Sequence, residues 1–292
     1  MIWLIGNRGM LGTELEILLR EKSFPYVGSD RELDITNLEE LIPFASGKGI
    51  TWIVNCSAYT AVDKAEDEVD LAFGINSRGV LNISHIAKQI QAKVIHISTD
   101  YVFDGMKDGP YLENDIPAPL GVYGRSKLEG EFHLKQNLER YYIIRTAWLY
   151  GLNGSNFVNT MLRLLNTKDK LEIVADQWGS PTYAKDLAEV LIKVIEQDSG
   201  AYGTYHFTNE GFTNWYEFTK TIYEKGKGHN LVSTDVLLNP ITTEQYPTKA
   251  RRPKNSVLSK DKIKQIFDLK IDNWENALER YLIERKRRIA ND

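Results

Sequence analysis

Two side chains near the middle of the sequence could form a tuned proton donor. Tyr123 and Lys127 are four residues apart at the start of a helical pattern, so they share one face of that helix. A nearby ammonium group favours a phenolate, and we therefore expect Lys127 to lower the pKa of Tyr123 from about 10 towards neutrality. Thr99 adds a hydroxyl group just after a predicted strand, residues 93–97. Tyr-x-x-x-Lys also occurs by chance at the edge of amphipathic helices, so the rest of the chain must show whether this pair is catalytic.

The first residues of the chain predict a loop that binds a dinucleotide. An apolar run at residues 2–5 is typical of a buried strand, and leucines at helical spacing follow from Leu11. Between them Gly6, Gly9 and Gly12 are spaced G-x-x-G-x-x-G rather than G-x-G-x-x-G. Glycines permit a tight turn and let backbone N–H groups approach a pyrophosphate at the helix N-terminus. An ordinary strand-to-helix turn is the simpler alternative, but this context favours a cofactor.

The residues after the second predicted strand bear on the choice of cofactor. That strand, residues 26–29, ends at Asp30 and Arg31. An acidic residue here usually binds a ribose 2′-hydroxyl, whereas an arginine favours a 2′-phosphate. Arg8 in the glycine loop is a second cation that could reach this phosphate, although either arginine could equally be a solvated surface charge. The sequence therefore leaves NADH and NADPH open, with a slight preference for NADPH.

Strands and helices alternate through the first half of the chain. Further strands are predicted at 51–55, 93–97 and 141–145, with helical patterns at 37–44, 70–91 and 123–136 between them. This alternation predicts a Rossmann-type α/β fold, a doubly wound parallel sheet whose ligands bind beyond the carboxyl ends of the strands. The glycine loop, Ala58, Thr99 and Trp148 all follow strand ends and should face one crevice. His96, inside the fourth strand, is expected to be a core or edge residue rather than a catalyst.

The pattern changes after about residue 150. We predict a dinucleotide-binding domain over 1–150 and a smaller, interleaved C-terminal domain over 151–292 that mainly binds the substrate. A turn-rich loop covers 176–182, and helices are predicted at 156–165, 184–196, 215–225 and 274–288. We expect the helix at 184–196 to return to the first domain, so that the boundary is not clean.

Composition narrows the class of protein. The 292 residues carry a net charge of −4 with both signs mixed, which does not point to a nucleic-acid partner. The single cysteine, Cys56, excludes an internal disulfide. No apolar stretch is long enough to span a membrane, and the first strand begins at residue 2 without a leader peptide. We therefore expect a cytoplasmic protein, and we assign no metal-ligating residue.

Taken together, these motifs make the sequence resemble the extended short-chain dehydrogenase/reductases. The glycine loop, Thr99, Tyr123 and Lys127 carry this resemblance. A closer resemblance, to the family of dTDP-4-dehydrorhamnose reductases, extends in family order from Gly6 to Ser256. The segments that carry it are 60–66, 98–103, 123–127, 145–150, 156–157, 176–182 and 252–256.

The resemblance implies NAD(P)H-dependent reduction of the C4 keto group of dTDP-4-dehydro-L-rhamnose to dTDP-L-rhamnose. It implies that Tyr123 gives a proton to the developing alkoxide while a hydride passes from the nicotinamide to C4. Lys127 would lower the pKa of Tyr123 and hold the nicotinamide ribose. Thr99 would donate a hydrogen bond to the carbonyl oxygen, where charge develops.

Other positions match contacts of the same family. Asp100 and Trp148 match residues of the sugar pocket, and Arg252 and Asn255 lie in a motif near the nucleotide end of the substrate. Asn76 matches an asparagine that helps a proton relay in the superfamily. The implied cofactor contacts are Gly6, Arg8, Gly9, Met10, Leu11, Gly12, Asp30, Arg31, Asp34, Ile35, Ala58, Tyr59, Thr60, Tyr123 and Lys127.

The sequence departs from the family at a metal site. Some members form homodimers through Mg²⁺ held by carboxylates, and Glu14 matches one of those positions. Lys185 stands where another acidic residue is expected, which argues against Mg²⁺-dependent dimerisation while leaving a homodimer open. Arg8 is more like the corresponding residue of GDP-fucose synthase, a related NADPH-dependent reductase.

Relatives with other functions are the alternatives. The related 4,6-dehydratases have a Thr-Asp-Glu motif at this strand end, because elimination needs adjacent acid and base carboxylates. Here Tyr101 follows Asp100, which argues against dehydration. Another sugar-nucleotide keto-reductase or an epimerase stays open, since epimerases share the Thr/Ser, Tyr and Lys residues. A non-catalytic NADP-binding subunit, like that of methionine adenosyltransferase, is disfavoured because Thr99, Tyr123 and Lys127 are all intact.

Overall fold

The computed structural model describes residues 1–291, and its centre is a parallel sheet of six strands. Each strand except the two edge strands is flanked by parallel neighbours on both sides. In spatial order the strands are β10 (Gly203–His206), β5 (Tyr141–Thr146), β4 (Lys93–Thr99), β3 (Trp52–Asn55), β1 (Ile2–Ile5) and β2 (Tyr26–Ser29). The α/β fold class predicted from the alternating pattern is therefore confirmed.

Helices cover both faces of this sheet. One face carries α1 (Met10–Glu21), α8 (Ala184–Gln197) and α10 (Asp261–Phe267), while the other carries α2 (Leu38–Ala45), α5 (Gly79–Ile90) and α6 (Val122–Asn137). Alternate residues of each strand point to opposite faces, so Leu4 packs with the first helices and Trp3 with the second. This is why the strands are apolar throughout, as parallel sheets covered on both sides require.

Two short helices and a π-helical turn precede α5. They are α3 (Val62–Ala65), α4 (Val69–Phe73) and the turn Gly74–Arg78. The sequence predicts one continuous helix over 70–91, whereas the chain widens into the π-helical turn between α4 and α5. A single helical period cannot reveal this change, because π-turns differ from α-helix only in the hydrogen-bonding partner.

A smaller lobe is formed mainly by the C-terminal part of the chain. Its helices α7 (Phe157–Leu165), α9 (Trp215–Gly228) and α11 (Trp274–Asn291) enclose an aromatic core. Short strand pairs frame it: β6 (Leu149–Tyr150) with β9 (Thr182–Tyr183), β7 (Lys170–Val174) with β12 (Leu237–Ile241), and β8 (Trp178–Gly179) with β11 (Thr213–Asn214). The sequence did not predict β12, α10 or the strands of two residues. The strands of two residues are too short to show periodicity.

The chain crosses between the two lobes more than once. After residue 150 it forms α7 in the smaller lobe, and α8 then packs against α1 of the larger lobe. The next strand, β10, joins the edge of the large sheet beside β5. The division at residue 150 stays a proposal, with α8 and β10 on the sheet side of it. Among the helices formed by residues 1–291, none has the length and apolarity needed to cross a lipid bilayer.

Candidate active site

Thr99 and Tyr123 meet beyond the carboxyl end of β4. The strand ends at Thr99, whose hydroxyl accepts the N–H of Tyr101 at 3.1 Å and donates to Asp100 Oδ1 at 2.8 Å. The phenol of Tyr123 lies within hydrogen-bonding reach of the Thr99 hydroxyl, while burial dominates the pKa of this phenol. Helix α6 can approach the end of β4 because residue 124 is a glycine. A Cβ at this position would lie 2.2 Å from the carbonyl oxygen of Tyr101. Glycine at this position therefore allows the phenol to reach the strand end.

The proton affinity of Tyr123 differs from our expectation. Burial raises its pKa above the usual value of about 10, and the nearby Asp100 adds to the rise. Lys127 makes no hydrogen bond to the phenol, and its Nζ donates to the carbonyl oxygen of Ile97 at 2.6 Å. A pKa of Tyr123 lowered towards neutrality is thus not found in this structure, and the effect of Lys127 on the phenol stays a prediction. The phenol stays protonated at neutral pH.

Lys127 is buried beneath Tyr123, one turn further along α6. Burial lowers its pKa to about 8, against the opposing effect of the Glu131 carboxylate. That carboxylate is itself held by Arg145 at 2.8 and 2.7 Å and by Ser98 at 2.6 Å. Burial alone would raise the pKa of Glu131, but the bonds from Arg145 lower it to about 2. A buried ion pair thus anchors the end of α6 to β5.

Asp100 has a buried carboxylate oxygen next to Thr99. Its Oδ2 has no hydrogen-bond partner within residues 1–291, and burial raises the pKa of the carboxyl to about 6. Across the crevice, Trp148 stacks on Trp215 with ring centroids 3.4 Å apart. A Cβ on Gly179 would lie 2.5 Å from the Trp148 ring, so glycine lets the 176–182 loop close over it. An acceptor beside an indole wall suits a ligand rich in hydroxyl groups.

The glycine loop forms the tight turn that a dinucleotide needs. Gly6 has φ +76°, and a Cβ there would lie 2.8 Å from the backbone nitrogen of Ser57. A Cβ on Gly12 would lie only 2.0 Å from the carbonyl oxygen of Gly6. Gly9 is the N-cap residue of α1 and has no side chain to cap the first N–H groups, and Met10 and Leu11 follow in the first turn. Free N–H groups at a helix N-terminus fit a pyrophosphate.

The residues that could distinguish NADH from NADPH lie at the end of β2. The Asp30 carboxylate accepts the backbone N–H groups of Arg8 at 3.1 Å and Arg31 at 2.8 Å. Both arginine side chains are exposed, and Arg8 lies 3.5 Å from the exposed Glu32 carboxylate. Exposed ion pairs of this kind are weak, so the guanidinium of Arg8 can move to a phosphate.

Asp34 and Ile35 shape the loop that follows. Oδ1 of Asp34 accepts the N–H and the hydroxyl of Thr36, each at 2.8 Å. Ile35 is buried against Gly79, where a Cβ would lie 2.6 Å from its side chain. The exposed Asp34 thus bonds within its own loop through Oδ1, and the buried Ile35 packs against α5.

Asn76, on the π-helical turn, holds the loop after β3. Its amide accepts the N–H of Tyr59 at 2.8 Å and donates to the Tyr59 carbonyl oxygen at 3.0 Å. The same amide lies 3.0 Å from the hydroxyl of Ser126 on α6. The half-buried Ala58 and the exposed Thr60 flank the clamped residue. The resemblance matched Asn76 to an asparagine of a proton relay but did not predict this clamp, because a polar residue in a helix does not show what it faces.

The two C-terminal residues assigned to the substrate differ in their surroundings. Arg252 donates to Asp63 at 2.6 Å and to the hydroxyl of Tyr101 at 3.2 Å, which places it beside the Tyr101–Tyr123 ring pair. Asn255 donates to the carbonyl oxygens of Lys107 and Gly109, both at 2.8 Å. Its amide holds the loop after β4, and its contact with the substrate stays a prediction.

The residues near Glu14 do not fit a magnesium site. Burial and the Glu284 carboxylate raise the pKa of Glu14. Lys185 Nζ lies 2.5 Å from a Glu284 oxygen, so an ammonium group already neutralises this carboxylate. Within residues 1–291 there is no group of three or more His, Cys, Asp or Glu side chains arranged to hold a metal ion.

Similar proteins of known family point to one family for this chain. The model of the RmlD substrate binding domain matches residues 1–287. A dTDP-4-dehydrorhamnose reductase from Aggregatibacter actinomycetemcomitans is 43% identical over 279 residues, which is 94% of this chain and 95% of the relative. The spore coat polysaccharide biosynthesis protein SpsK of Bacillus subtilis is 38% identical over 96% of each chain.

A solved relative shares the fold over nearly its whole length. The dTDP-4-dehydrorhamnose reductase from Bacillus anthracis, in complex with NADP, superposes with a TM-score of 0.91 at 38% identity. The match covers 97% of this chain and 98% of that one. Together with the glycine loop and the strand-end residues, these likenesses show that the chain belongs to the dTDP-4-dehydrorhamnose reductase family.

Proposed function

We propose that this protein reduces the C4 keto group of dTDP-4-dehydro-L-rhamnose with NADPH and releases dTDP-L-rhamnose. The observation that carries the proposal is the meeting of Thr99 and Tyr123 beyond β4, with Lys127 one helical turn below. They lie on the same edge of the sheet as the glycine loop. Reduction of a carbonyl needs a proton donor, a donor to the oxygen and a place for the cofactor, and this edge offers all three.

Each side chain has a defined part in the proposed reaction. Bound NADPH supplies a hydride to the carbonyl carbon. When the substrate binds, the Thr99 hydroxyl turns its proton from Asp100 to the carbonyl oxygen, where negative charge develops as the C=O bond becomes a C–O bond. Tyr123 gives its proton to that oxygen and completes the alcohol. Lys127, with a pKa of about 8, is mainly charged at neutral pH and stabilises the phenolate that remains.

The cofactor fits the loops that the larger lobe supplies. The pyrophosphate belongs at the N-terminus of α1, between Gly9 and Gly12. Asp30 would bind the adenosine ribose, and the exposed Arg8 and Arg31 would bind the 2′-phosphate. The relative from Bacillus anthracis, solved with NADP, supports NADPH over NADH.

The sugar nucleotide fits the crevice between the lobes. The unpaired oxygen of Asp100 is an acceptor for a sugar hydroxyl, and Trp148 offers an apolar surface to the ring. Arg252, which is paired with Asp63 at 2.6 Å, would exchange part of this pairing for the diphosphate of the substrate. Asn255 would act through the loop that it holds.

The test is an assay of cofactor oxidation. Purified protein is mixed with NADPH or NADH, with and without dTDP-4-dehydro-L-rhamnose made in place by the enzymes that precede it. We expect oxidation that requires the sugar nucleotide and is faster with NADPH, and dTDP-L-rhamnose as product. Tight binding of NADPH without oxidation would contradict the proposal and favour a non-catalytic NADP-binding protein.

Two further properties belong to the proposal. The reaction needs a supply of reduced nicotinamide cofactor, which makes the cytoplasm the expected compartment. A homodimer is the assembly that some members of the family form, and sedimentation at several protein concentrations with and without a chelator tests it for this chain. Because Lys185 pairs with Glu284, we expect the chelator to have no effect on the assembly.

A further inference from the structure

A buried histidine lies directly behind Lys127. His96 on β4 is paired in register with Asn55 on β3, and neither side chain is exposed. The imidazole Nδ1 lies 3.1 Å from Nδ2 of Asn55, and Nε2 lies 3.4 Å from Nζ of Lys127. The proposed reaction described above gives this histidine no part.

The neighbours of Asn55 identify which imidazole nitrogen carries the proton. Oδ1 of Asn55 accepts the backbone N–H of Ser57 at 3.1 Å and its hydroxyl at 2.6 Å. The other amide atom, facing His96, is therefore the NH₂ group, which can only donate. Nδ1 must accept this bond and carries no proton, so the proton of a neutral ring lies on Nε2.

The surroundings keep the ring neutral. Burial lowers the pKa of His96 well below its usual value, and the positive charge of Lys127 lowers it further. The Nε2–H group then points at the nitrogen of Lys127. An ammonium group has three donors and no lone pair, so this contact becomes a hydrogen bond only when Lys127 is a neutral amine.

We propose that His96 is a positioning residue for Lys127: its Nε2–H, fixed by Asn55, faces the lysine nitrogen and favours the neutral amine over the ammonium ion. The proposal rests on the proposed function for its consequence in turnover. If Lys127 stabilises the phenolate of Tyr123 only when charged, His96 helps to set the pH above which the reaction slows.

The other groups around Lys127 act on the same equilibrium. Glu131 on α6 favours the ammonium, although Arg145 neutralises most of its charge. The Cys56 thiol after β3 has its pKa raised to about 12 by burial, so it is uncharged at neutral pH. The carbonyl oxygen of Ile97 accepts from the lysine in either form. His96 is thus the neighbour whose proton opposes a charged lysine.

The first experiment measures the tautomer in the intact protein. Uniformly ¹⁵N-histidine-labelled protein gives two-bond ¹H–¹⁵N spectra between pH 6 and 9, and His96→Asn assigns the resonances of His96. We expect a neutral ring with a bare Nδ1 and a protonated Nε2, and an Nε2 resonance that shifts as Lys127 loses its proton near pH 8. An imidazolium ion, or a proton on Nδ1, would overturn the proposal without any reference to turnover.

The second experiment compares pH profiles of kcat. His96→Asn keeps an acceptor for Asn55 and removes the Nε2–H, while His96→Gln places an amide oxygen near the lysine. We expect the alkaline limb of both variants to move up by about one pH unit, since the ammonium is no longer disfavoured. His206→Gln is the matched control, because His206 is also buried beside a cation, Arg145, at 3.5 Å.

The outcomes separate this inference from the proposed function. An unmoved alkaline limb in folded His96 variants, with only the unfolding temperature changed, would leave His96 a purely structural residue and refute the inference. Absence of turnover in the unmodified protein would refute the proposed function instead, and the tautomer spectra would then decide the inference alone. They would also decide it if neither His96 variant folds, because replacing each of the other four histidines in turn assigns the remaining resonances to His96.

Discussion

At the level of single residues, the phenol of Tyr123 is kept protonated rather than poised to ionise. Burial holds its pKa above the usual value, and the ammonium of Lys127 bonds to a backbone carbonyl instead. A proton donor for a developing alkoxide has to carry its proton at neutral pH, so this state suits the reductive direction. The spacing of the two residues predicted their shared face, but side-chain direction and burial depend on the tertiary structure.

Replacing Tyr123 by Phe should remove the proton and little else. We expect kcat to fall about 10²- to 10⁴-fold, the usual contribution of a positioned general acid, with NADPH affinity little changed. Stopped-flow oxidation of NADPH and fluorescence titration of the cofactor measure the two effects. Tyr101→Phe, which loses only a bond from Arg252, is the neighbouring control and should keep most of the turnover. Equal turnover in both variants would remove Tyr123 from the reaction.

Asp100 should make stability depend on pH. Its pKa is raised from 3.8 to about 6 in the folded protein, so the folded state holds this proton after the unfolded chain has lost it. The stabilisation is present below pH 4 and is lost as the pH rises towards 6. It amounts to about 2 to 3 kcal/mol for a buried group with this shift.

The variant Asp100→Asn removes this titration. Measured by urea unfolding, its free energy of unfolding relative to the unmodified protein should rise between pH 4 and pH 7 by about the same 2 to 3 kcal/mol. A difference between the two proteins that stays constant with pH would mean that the carboxyl ionises normally in the fold.

At the level of elements, close backbone contacts place α6 and α1. Glycines at 124 and 130 let α6 touch the carbonyl oxygens of Tyr101 and Asn76, where a Cβ would lie 2.2 Å away in each case. These contacts bring Tyr123 to Thr99 and hold α6 against the π-helical turn that carries Asn76. The sequence indicates where α6 begins, yet it does not show that two of its glycines are contact points, since exposed helices tolerate glycine too.

Gly12 gives a direct test of the contact at α1. Gly12→Ala places a Cβ 2.0 Å from the carbonyl oxygen of Gly6, which forces the cofactor loop to move. We expect NADPH affinity to fall at least tenfold and stability to fall by about 1 to 3 kcal/mol, as for other overpacked sites. Gly228→Ala is the control, because an exposed Cβ there meets nothing within 4 Å and should be neutral or slightly stabilising. Calorimetry and cofactor titration of both variants would settle the comparison; unchanged affinity in Gly12→Ala would show that the loop has room to adapt.

At the level of the whole molecule, the crevice is closed by bonds between the two lobes. Arg252 joins the C-terminal segment to Asp63 and Tyr101, and Lys249 pairs with Asp67 nearby. The motifs on both sides of this contact are visible in the sequence. Their meeting is not, because nearly two hundred residues separate them and no local pattern encodes so distant a contact.

We expect Arg252→Ala to weaken binding of the sugar nucleotide rather than of the cofactor. Loss of a charge-assisted bond to a phosphate should raise KM for dTDP-4-dehydro-L-rhamnose about tenfold, which corresponds to about 1.4 kcal/mol. The dissociation constant of NADPH should be unchanged. Lys249→Ala, which removes an exposed pair, should have little effect on either. A raised KM in both variants alike would assign the effect to loosened lobes instead of to the guanidinium.

The edge strand β10 also has a consequence for synthesis of the chain. A nascent chain that has reached residue 150 has made five of the six strands but leaves the edge of β5 open and the apolar face of α1 without α8. Unpaired edges and bare apolar helices promote association between chains. The ribosome must release the following fifty-odd residues before that edge is paired, so we expect the growing polypeptide to depend on chaperones during this interval.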